Sequence, residues 1–307
     1  MRYFYGNTSL DGNAFEYLAE PMKILKGRLI VFAFFMFFSI VMIIYPLIGI
    51  VYFFLLLILT PWVIRQALRF RYHYTAWRGV RFSFAGSLWD AAKAFVFWPL
   101  SFVLLGVMPL PFWWHSQTHY LVDNAHFGAA SFENRSTVGN FIKLLFVIFG
   151  SIMLVCLITA IFGGVIVTAI AAFETMEMSR QQLSVVIAVL GMPLSFVIII
   201  CCATPFALYK VRMTNLRVGK STLGPHQLVS AYATGSYLAL LVTNTLFVIL
   251  TLGLFYPFAK VRTARYAAAH TEIITVGDLD GFVTERQSEV SALGGETADF
   301  LDIDIGF

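Results

Sequence analysis

His115-Ser116-Gln117-Thr118-His119 sets two imidazoles four residues apart, on one face of a helix, with Asp123 and His126 close behind. Nitrogen donors at that spacing can begin a zinc site, which needs three or four convergent ligands. No Glu stands beside the first His as a general base, and no second ligand pair follows. The pair therefore reads as polar interfacial histidines, and no metal or cofactor is expected. His73, His226 and Asp90 fall near the ends of apolar runs, but no spacing ties them together. The chain has no nucleophile elbow, phosphate loop or convergent pair of carboxylates, so an enzyme is not expected.

A second constellation recurs. A basic or imidazole residue is followed five positions on by Asn, His or Tyr, and then by Gly. The copies are Arg2…Asn7…Gly12, Arg69…Tyr74…Gly79, His119…Asn124…Gly128, Lys210…Asn215…Gly219 and Arg265…His270…Gly277. Each copy after the first lies downstream of an apolar run that closes on a proline and an aromatic: Pro61-Trp62, Pro111-Phe112, Pro205-Phe206 and Pro257-Phe258. Arg65, Arg69, Arg71, Lys210, Arg212, Lys260, Arg262 and Arg265 gather at these exits, among Trp62, Phe70, Tyr72, Tyr74, Tyr209 and Tyr266. Cations beside a bilayer attract anionic headgroups by about 1 kcal/mol each, and Tyr and Trp favour the interface. The clusters read either as anchors of topology or as a surface that binds lipid or a partner. The repeated Asn7, Asn124, Asn215 and His270 favour the second reading. An Asn followed by Gly also suits a helix stop with a left-handed cap.

The elements that carry these residues follow from composition. Hydrophobic residues make up 59% of the 307, charged ones 12%, and the mean hydropathy is +0.79. The runs 29–64, 95–114, 144–173, 183–209 and 237–259 contain no Asp, Glu, Lys or Arg. A run of about 20 apolar residues spans the hydrocarbon layer as a helix, and uninterrupted hydrophobicity selects helices over a barrel. The first run breaks at Tyr45-Pro46 into a helical hairpin. The runs 144–173 and 183–209 form a second, joined by Glu174–Gln182. The spacings Pro61–Pro205 and Pro111–Pro257 nearly coincide, so two halves share one order: a hairpin, then a single apolar segment.

Cys156, Cys201 and Cys202 all lie in apolar runs and give no disulfide framework. The amino-terminal Met1 to Lys26 carries no signal peptide. Stretches 65–93 and 210–236 are strongly basic, which places them in the cytoplasm. Both can lie there only if 95–114 and 237–259 re-enter the membrane. The alternative is six full spans. Both readings leave the two termini in the cytoplasm.

The expected architecture is all-α: a polytopic transmembrane protein with tandem repeats. Its divisions are a cytoplasmic partial repeat (1–28), membrane repeats (29–143 and 144–277) and an acidic cytoplasmic tail (278–307). The tail's final 300–307 alternates apolar and acidic residues and could add as a strand to a partner.

Arg2-Tyr3-Phe4-Tyr5-Gly6-Asn7-Thr8, Leu10-Asp11-Gly12, Phe15-Glu16-Tyr17 and Ile24-Leu25-Lys26-Gly27-Arg28 resemble the YjgN family. So does the stretch from Thr251 to Arg262, with Arg265-Tyr266 behind it. The resemblance covers nearly the whole chain. It implies a multi-spanning protein of the bacterial inner membrane and brings no assigned activity. In that family a hydrophobic segment and a Tyr-Pro-Trp-Ala-Lys-Val-Arg-like stretch precede the Arg-Tyr…Asn-Thr motif. Here the chain begins inside the motif, so either the coding sequence starts upstream of Met1, which is the expectation, or this member has lost its first membrane segment.

The expected function is a membrane scaffold that contacts lipid headgroups or a partner. Membrane lipids are the expected partners, with a protein for the acidic tail and no nucleic acid. The alternative is a passive transporter or channel for neutral or lipidic cargo, lined by Thr243, Asn244, Thr245, Thr251, Thr204 and Ser195. No ionisable residue lies in the spans to drive a pump.

Overall fold

A computed structural model of the chain describes residues 2–45, 47–174, 180–277, 281, 283 and 284. The expected acidic tail, all but those last three residues, and the connector residues 175–179 lie outside the described residues.

The chain is not all-α. Among the described residues nine strands form one antiparallel sheet in sequence order, β1 to β9. They are β1 (Ser9–Leu10), β2 (Asn13–Tyr17), β3 (Thr75–Trp77), β4 (Val80–Phe84), β5 (Ala125–Phe127), β6 (Ala130–Asn134), β7 (Ser221–Leu223), β8 (His226–Ser230) and β9 (Thr271–Ile274). Four of the five stretches read as polar helix exits pass into β-hairpins, and the fifth passes into the strand β9.

One pattern explains all four hairpins, 8–17, 75–84, 125–134 and 221–230. Their closing pairs are Leu10↔Asn13, Trp77↔Val80, Phe127↔Ala130 and Leu223↔His226. Each loop therefore has two residues, and such loops need positive φ to match strand twist. Asp11-Gly12 and Arg78-Gly79 have positive φ at both positions, as type I′ demands. Gly128-Ala129 and Gly224-Pro225 have it at the leading glycine alone, as type II′ demands, and Pro225 fits the second position. In the first three copies the recurring glycine thus supplies a hairpin turn instead of a helix cap. In the fourth copy the turn uses Gly224, not Gly219.

Between hairpins the register also repeats. Phe15 faces Trp77, Phe82 faces Phe127, and Phe132 faces Leu223. Period-two alternation puts these side chains on one face, where they form a single core with Leu10, Val80, Ala130 and Leu228. The ring pairs Phe82–Phe127 at 5.0 Å and Phe15–Trp77 at 6.2 Å are of a kind that adds about 0.5–1.5 kcal/mol each beyond burial. Ala14, Arg81, Ser131 and Gln227 point from the opposite face and are exposed.

The chain clusters into two compact units. The first comprises 1–141, 217–229 and 272–307, and the second 142–216 and 230–271. The first holds the sheet with α1 (Arg2–Gly6), α2 (Pro21–Ile44), α3 (Ile48–His73), α4 (Leu88–Ala92), α5 (Trp98–Leu105) and α6 (Leu110–Asp123). The break expected at Tyr45 separates α2 from α3, and Phe38 stacks on Tyr52 across it at 4.6 Å. A π-helical turn, Lys93–Phe97, joins α4 to α5 just ahead of Pro99, which has no N–H for the α-helical ladder. After α5 the chain reverses at Gly106 (φ 60). Phe102 then meets Trp113 at 5.2 Å and Phe95 meets Tyr120 at 5.8 Å, so α6 returns antiparallel.

The second unit holds most of α7 (Val138–Glu174) and α8 (Arg180–Arg217), with α9 (Thr234–Leu250) and α10 (Tyr256–Ala269); residues 138–141 and Arg217 belong to the first. Here too the chain reverses after an apolar helix, at Leu252-Gly253 (φ 50 and 94). Phe247 meets Phe255 at 5.1 Å and Tyr237 meets Tyr266 at 5.6 Å, so α9 and α10 are antiparallel. Both single apolar segments of the sequence are therefore bent back on themselves.

Among the described residues four helical stretches are long and apolar enough to cross a membrane: Gly27–Ile44, Ile48–His73, Leu88–Leu105 and Val138–Val165. Their side chains include Phe32, Ile43, Leu104 and Phe146, all at least 62% exposed. So large an apolar surface is stable only in lipid or under a partner. The protein is a membrane protein.

Candidate functional site

Three helices in the first unit end on the sheet, and the way each ends fixes the side chains around it. Asn7 donates Nδ2–H to the Tyr3 carbonyl at 2.7 Å, and Asn124 does the same to Tyr120 at 3.0 Å. Asn7 reinforces the bond that its own backbone N–H makes to the Tyr3 carbonyl at 3.2 Å, whereas the Asn124 N–H goes to the Val122 carbonyl and the side chain serves Tyr120. Thr75 Oγ1–H and Ser221 Oγ–H reach back to Arg71 and Arg217 carbonyls at 2.8 and 2.6 Å. In the second unit His270 Nδ1 lies 2.8 Å from the Tyr266 carbonyl. Asn215 differs. It lies inside the last turn of α8, donates to the Tyr232 carbonyl at 3.0 Å and accepts from Ser230 Oγ at 2.8 Å. The cap residues Tyr74, Asn124 and His270 have φ of −88, −95 and −117, so none is left-handed.

The basic residues divide by environment. Arg65 donates Nε–H to the Gly86 carbonyl at 2.8 Å, tying α3 to the loop before α4. That loop requires glycine, because a Cβ on Gly86 would lie 2.5 Å from the Phe84 ring and 2.8 Å from the Tyr120 hydroxyl. Arg71 donates Nε–H to Tyr5 Oη at 3.2 Å, and Tyr5 stacks on Tyr17. Arg69 is half-buried on α3. In the second unit Arg262 donates to buried Asn244 Oδ1 at 2.8 Å, and Lys260 sits over the Tyr256 ring at 4.7 Å. Lys210, Arg212 and Arg265 are exposed.

The histidine pair is held within the first unit. His119 Nδ1 lies 2.6 Å from Asp123 Oδ2, and Nε2 lies 3.0 Å from the Ser136 carbonyl. Both ring nitrogens face acceptors, so the imidazolium is the form that satisfies them. The Asp123 hydrogen bond raises the His119 pKa against the opposing effect of burial, and the Ser136 carbonyl adds to the rise. His115, 4.2 Å away between ring centres, is pushed down by burial and by the charge on His119. Asp123 Oδ1 also accepts the Asn134 amide at 2.8 Å. His126 lies on β5 opposite Ser83. Buried His226 accepts the Val276 amide at Nδ1, 3.2 Å, and burial lowers its pKa. Among the described residues no three His, Cys, Asp or Glu side chains converge as a metal site would require.

The proposed channel lining is largely spoken for. Thr243, Thr251 and Thr204 hydroxyls bond to the carbonyls four residues before them, and Asn244 links α9 to α10. Thr245 is exposed, and the side chain of Ser195 lies outside the described residues.

Where the ends of α1, α3, α6 and α8 meet the sheet, they leave a cavity of about 450 Å3 within the first unit. Phe15, Phe82, Phe132 and Leu228 line its sheet side. Arg71 and Arg217 supply its charge.

A family described as "Bacterial protein of unknown function (DUF898)" matches residues 1–300. The chain belongs to that family. The match agrees with the resemblance to the YjgN family carried by the Arg2–Gly12 and Thr251–Arg262 segments. No curated protein and no solved structure matches the chain. DUF898 membership assigns no activity, so function must come from residues and geometry.

Of the cavity residues in this DUF898 protein, sequence reasoning named only Arg71 and Tyr72 among the basic-aromatic positions. The missed Phe15, Phe82 and Phe132 do carry a signal: each lies three residues beyond the second residue of a hairpin turn. Arg217 belongs to the basic stretch 210–236, but nothing in the sequence ties it to a cavity.

Proposed function

We propose that this protein is a non-enzymatic scaffold of the bacterial inner membrane. Its sheet and basic helix ends form a cytoplasmic surface that contacts lipid headgroups or a partner. The carrying observation is that helix pairs alternate with hairpins of one sheet. Each pair therefore follows one strand and precedes another along the chain, and each basic exit comes just before a strand in sequence. The positive charge of 65–93 and 210–236 puts these exits in the cytoplasm, together with both termini. The fold-backs at Gly106 and Gly253 supply the reversals a re-entrant reading needs. Use of Asn244 as an inter-helix link argues against the passive transporter or channel.

The test is the lipid that copurifies. Reversing Lys210, Arg212 and Arg265 to Glu together should remove most of the bound anionic phospholipid, since each cation near the surface contributes about 1 kcal/mol, roughly fivefold. Unchanged lipid content, or solute-selective flux in proteoliposomes that Asn244→Leu abolishes, would overturn the scaffold.

A further inference from the structure

We propose that the cavity in the first unit is a binding site for a single-chain amphiphile with an anionic head. The inference goes beyond the scaffold reading and does not depend on it.

The cavity is two-sided in its chemistry. Four hairpins place the same register position, Phe15, Phe82, Phe132 and Leu228, along one wall. Leu68, Leu121 and Val122 from the ends of α3 and α6 complete an apolar interior. At the junctions of helix and strand the residues are small: Thr75, Ala125 and Ser221. Larger residues at these three places would fill the space.

The charge is one-signed. Arg71 and Arg217 both border the cavity, with the hydroxyls of Tyr5 and Tyr72 beside them, and no Asp or Glu is among the described lining residues. A cation at the last turn of a helix also offsets the helix dipole. That role is served by each arginine separately. It requires neither that both open onto one cavity nor that the opposite wall be aromatic. Two guanidinium groups with an apolar chamber behind them match an anionic oxygen head, carboxylate or phosphate, joined to one hydrocarbon chain.

Size and place agree. About 450 Å3 lies in the range of small-ligand sites, roughly 300–1,000 Å3. That room suits one hydrocarbon chain, so the ligand proposed is single-chain. α3, which carries Leu68 and Arg71, is also a candidate membrane span. Its final turns form the cavity wall, so a chain leaving the bilayer finds the site at the helix exit.

The full chain in nanodiscs, titrated and followed by native mass spectrometry, decides the matter. Palmitate or palmitoyl-lysophosphatidate should add as one saturable copy, and whichever binds tighter identifies carboxylate or phosphate as the head. Methyl palmitate should bind at least tenfold more weakly, since it lacks the charge that the arginines recognise. The double variant Arg71→Gln/Arg217→Gln should lose about tenfold or more for both acids. Arg71→Lys/Arg217→Lys, which keeps the charge should the Gln pair fail to fold, should stay well above it. Arg81→Gln, on the opposite face of the sheet, should match the wild type. The proposal is overturned if the methyl ester binds as well as the acid, or if inorganic phosphate displaces the amphiphile at equal concentration. Retention of full affinity by the Gln pair, or binding by the Lys pair no better than background, also overturns it.

Discussion

Asn134 offers the sharpest stability test, because one side chain there closes the gap between hairpins. It is 4% exposed at the end of β6, where the preceding hairpin has Phe84. Its Nδ2–H2 donates to the Arg217 carbonyl at 3.1 Å and to Ser221 Oγ at 3.0 Å. Its Oδ1 accepts the Ser136 amide at 3.0 Å and the Ser136 hydroxyl. Asn134→Ala deletes all four bonds, but their costs are unequal. The Arg217 carbonyl keeps Ser221 Oγ–H at 2.6 Å. The Ser136 amide and hydroxyl, buried with their residue at 4% exposure, lose this acceptor. An orphaned buried donor costs about 1–3 kcal/mol, so two give roughly 3 kcal/mol after partial relaxation. That corresponds to about a hundredfold in a local opening equilibrium. Hydrogen exchange read by mass spectrometry should therefore show protection of amides 132–136 and 221–223 falling about a hundredfold. Protection in 75–84 should be unchanged. Asn140→Ala, which removes only exposed contacts to Thr137, should stay within about 1 kcal/mol. A loss of protection under about threefold for Asn134→Ala would refute the reasoning.

Two further outcomes follow from the same unit. His119 has a raised pKa in the fold, so its contribution is complete below 6.5 and is lost as pH rises through the raised value. His115 is lowered, so its contribution is complete above 6.5 and is lost as pH falls toward its depressed value. Melting temperature measured between about pH 5 and 8 should then lose its alkaline decline in His119→Gln and its acid decline in His115→Gln. Gly224→Ala forces a Cβ into φ +54 at the leading turn position, and should lower stability by about 1 kcal/mol in the same melting assay.

Much of the helical part was legible. Charge-free runs marked the apolar helices, and Tyr45-Pro46 marked the first break. Arg65 and Arg71 lie on α3, Arg71 in its last turn, so the position of these two at a helix end was legible too. The sheet was not legible, for a physical reason. A glycine with positive φ serves a helix stop and a two-residue hairpin equally well, and the flanking strands run only two to five residues. Alternation over so short a stretch is weak beside apolar runs of about 20 residues. Gly-Ala and Gly-Pro turns further hid the likeness of the third and fourth hairpins to Asp-Gly and Arg-Gly in the first two. The cavity was invisible for the same reason: its aromatic wall exists only when Phe15, Phe82 and Phe132 share a face.

The scaffold proposal rests most directly on the four hairpins of the first unit lying on the cytoplasmic side of the membrane. Ala14, Arg81, Ser131 and Gln227 occupy the same exposed position in the four hairpins. Single cysteines at each, in a chain with Cys156, Cys201 and Cys202 replaced by Ala, can be tested with a membrane-impermeant maleimide on right-side-out and inverted vesicles. All four positions should react from the cytoplasmic side only. Reaction of any one of them from the opposite side would contradict the account.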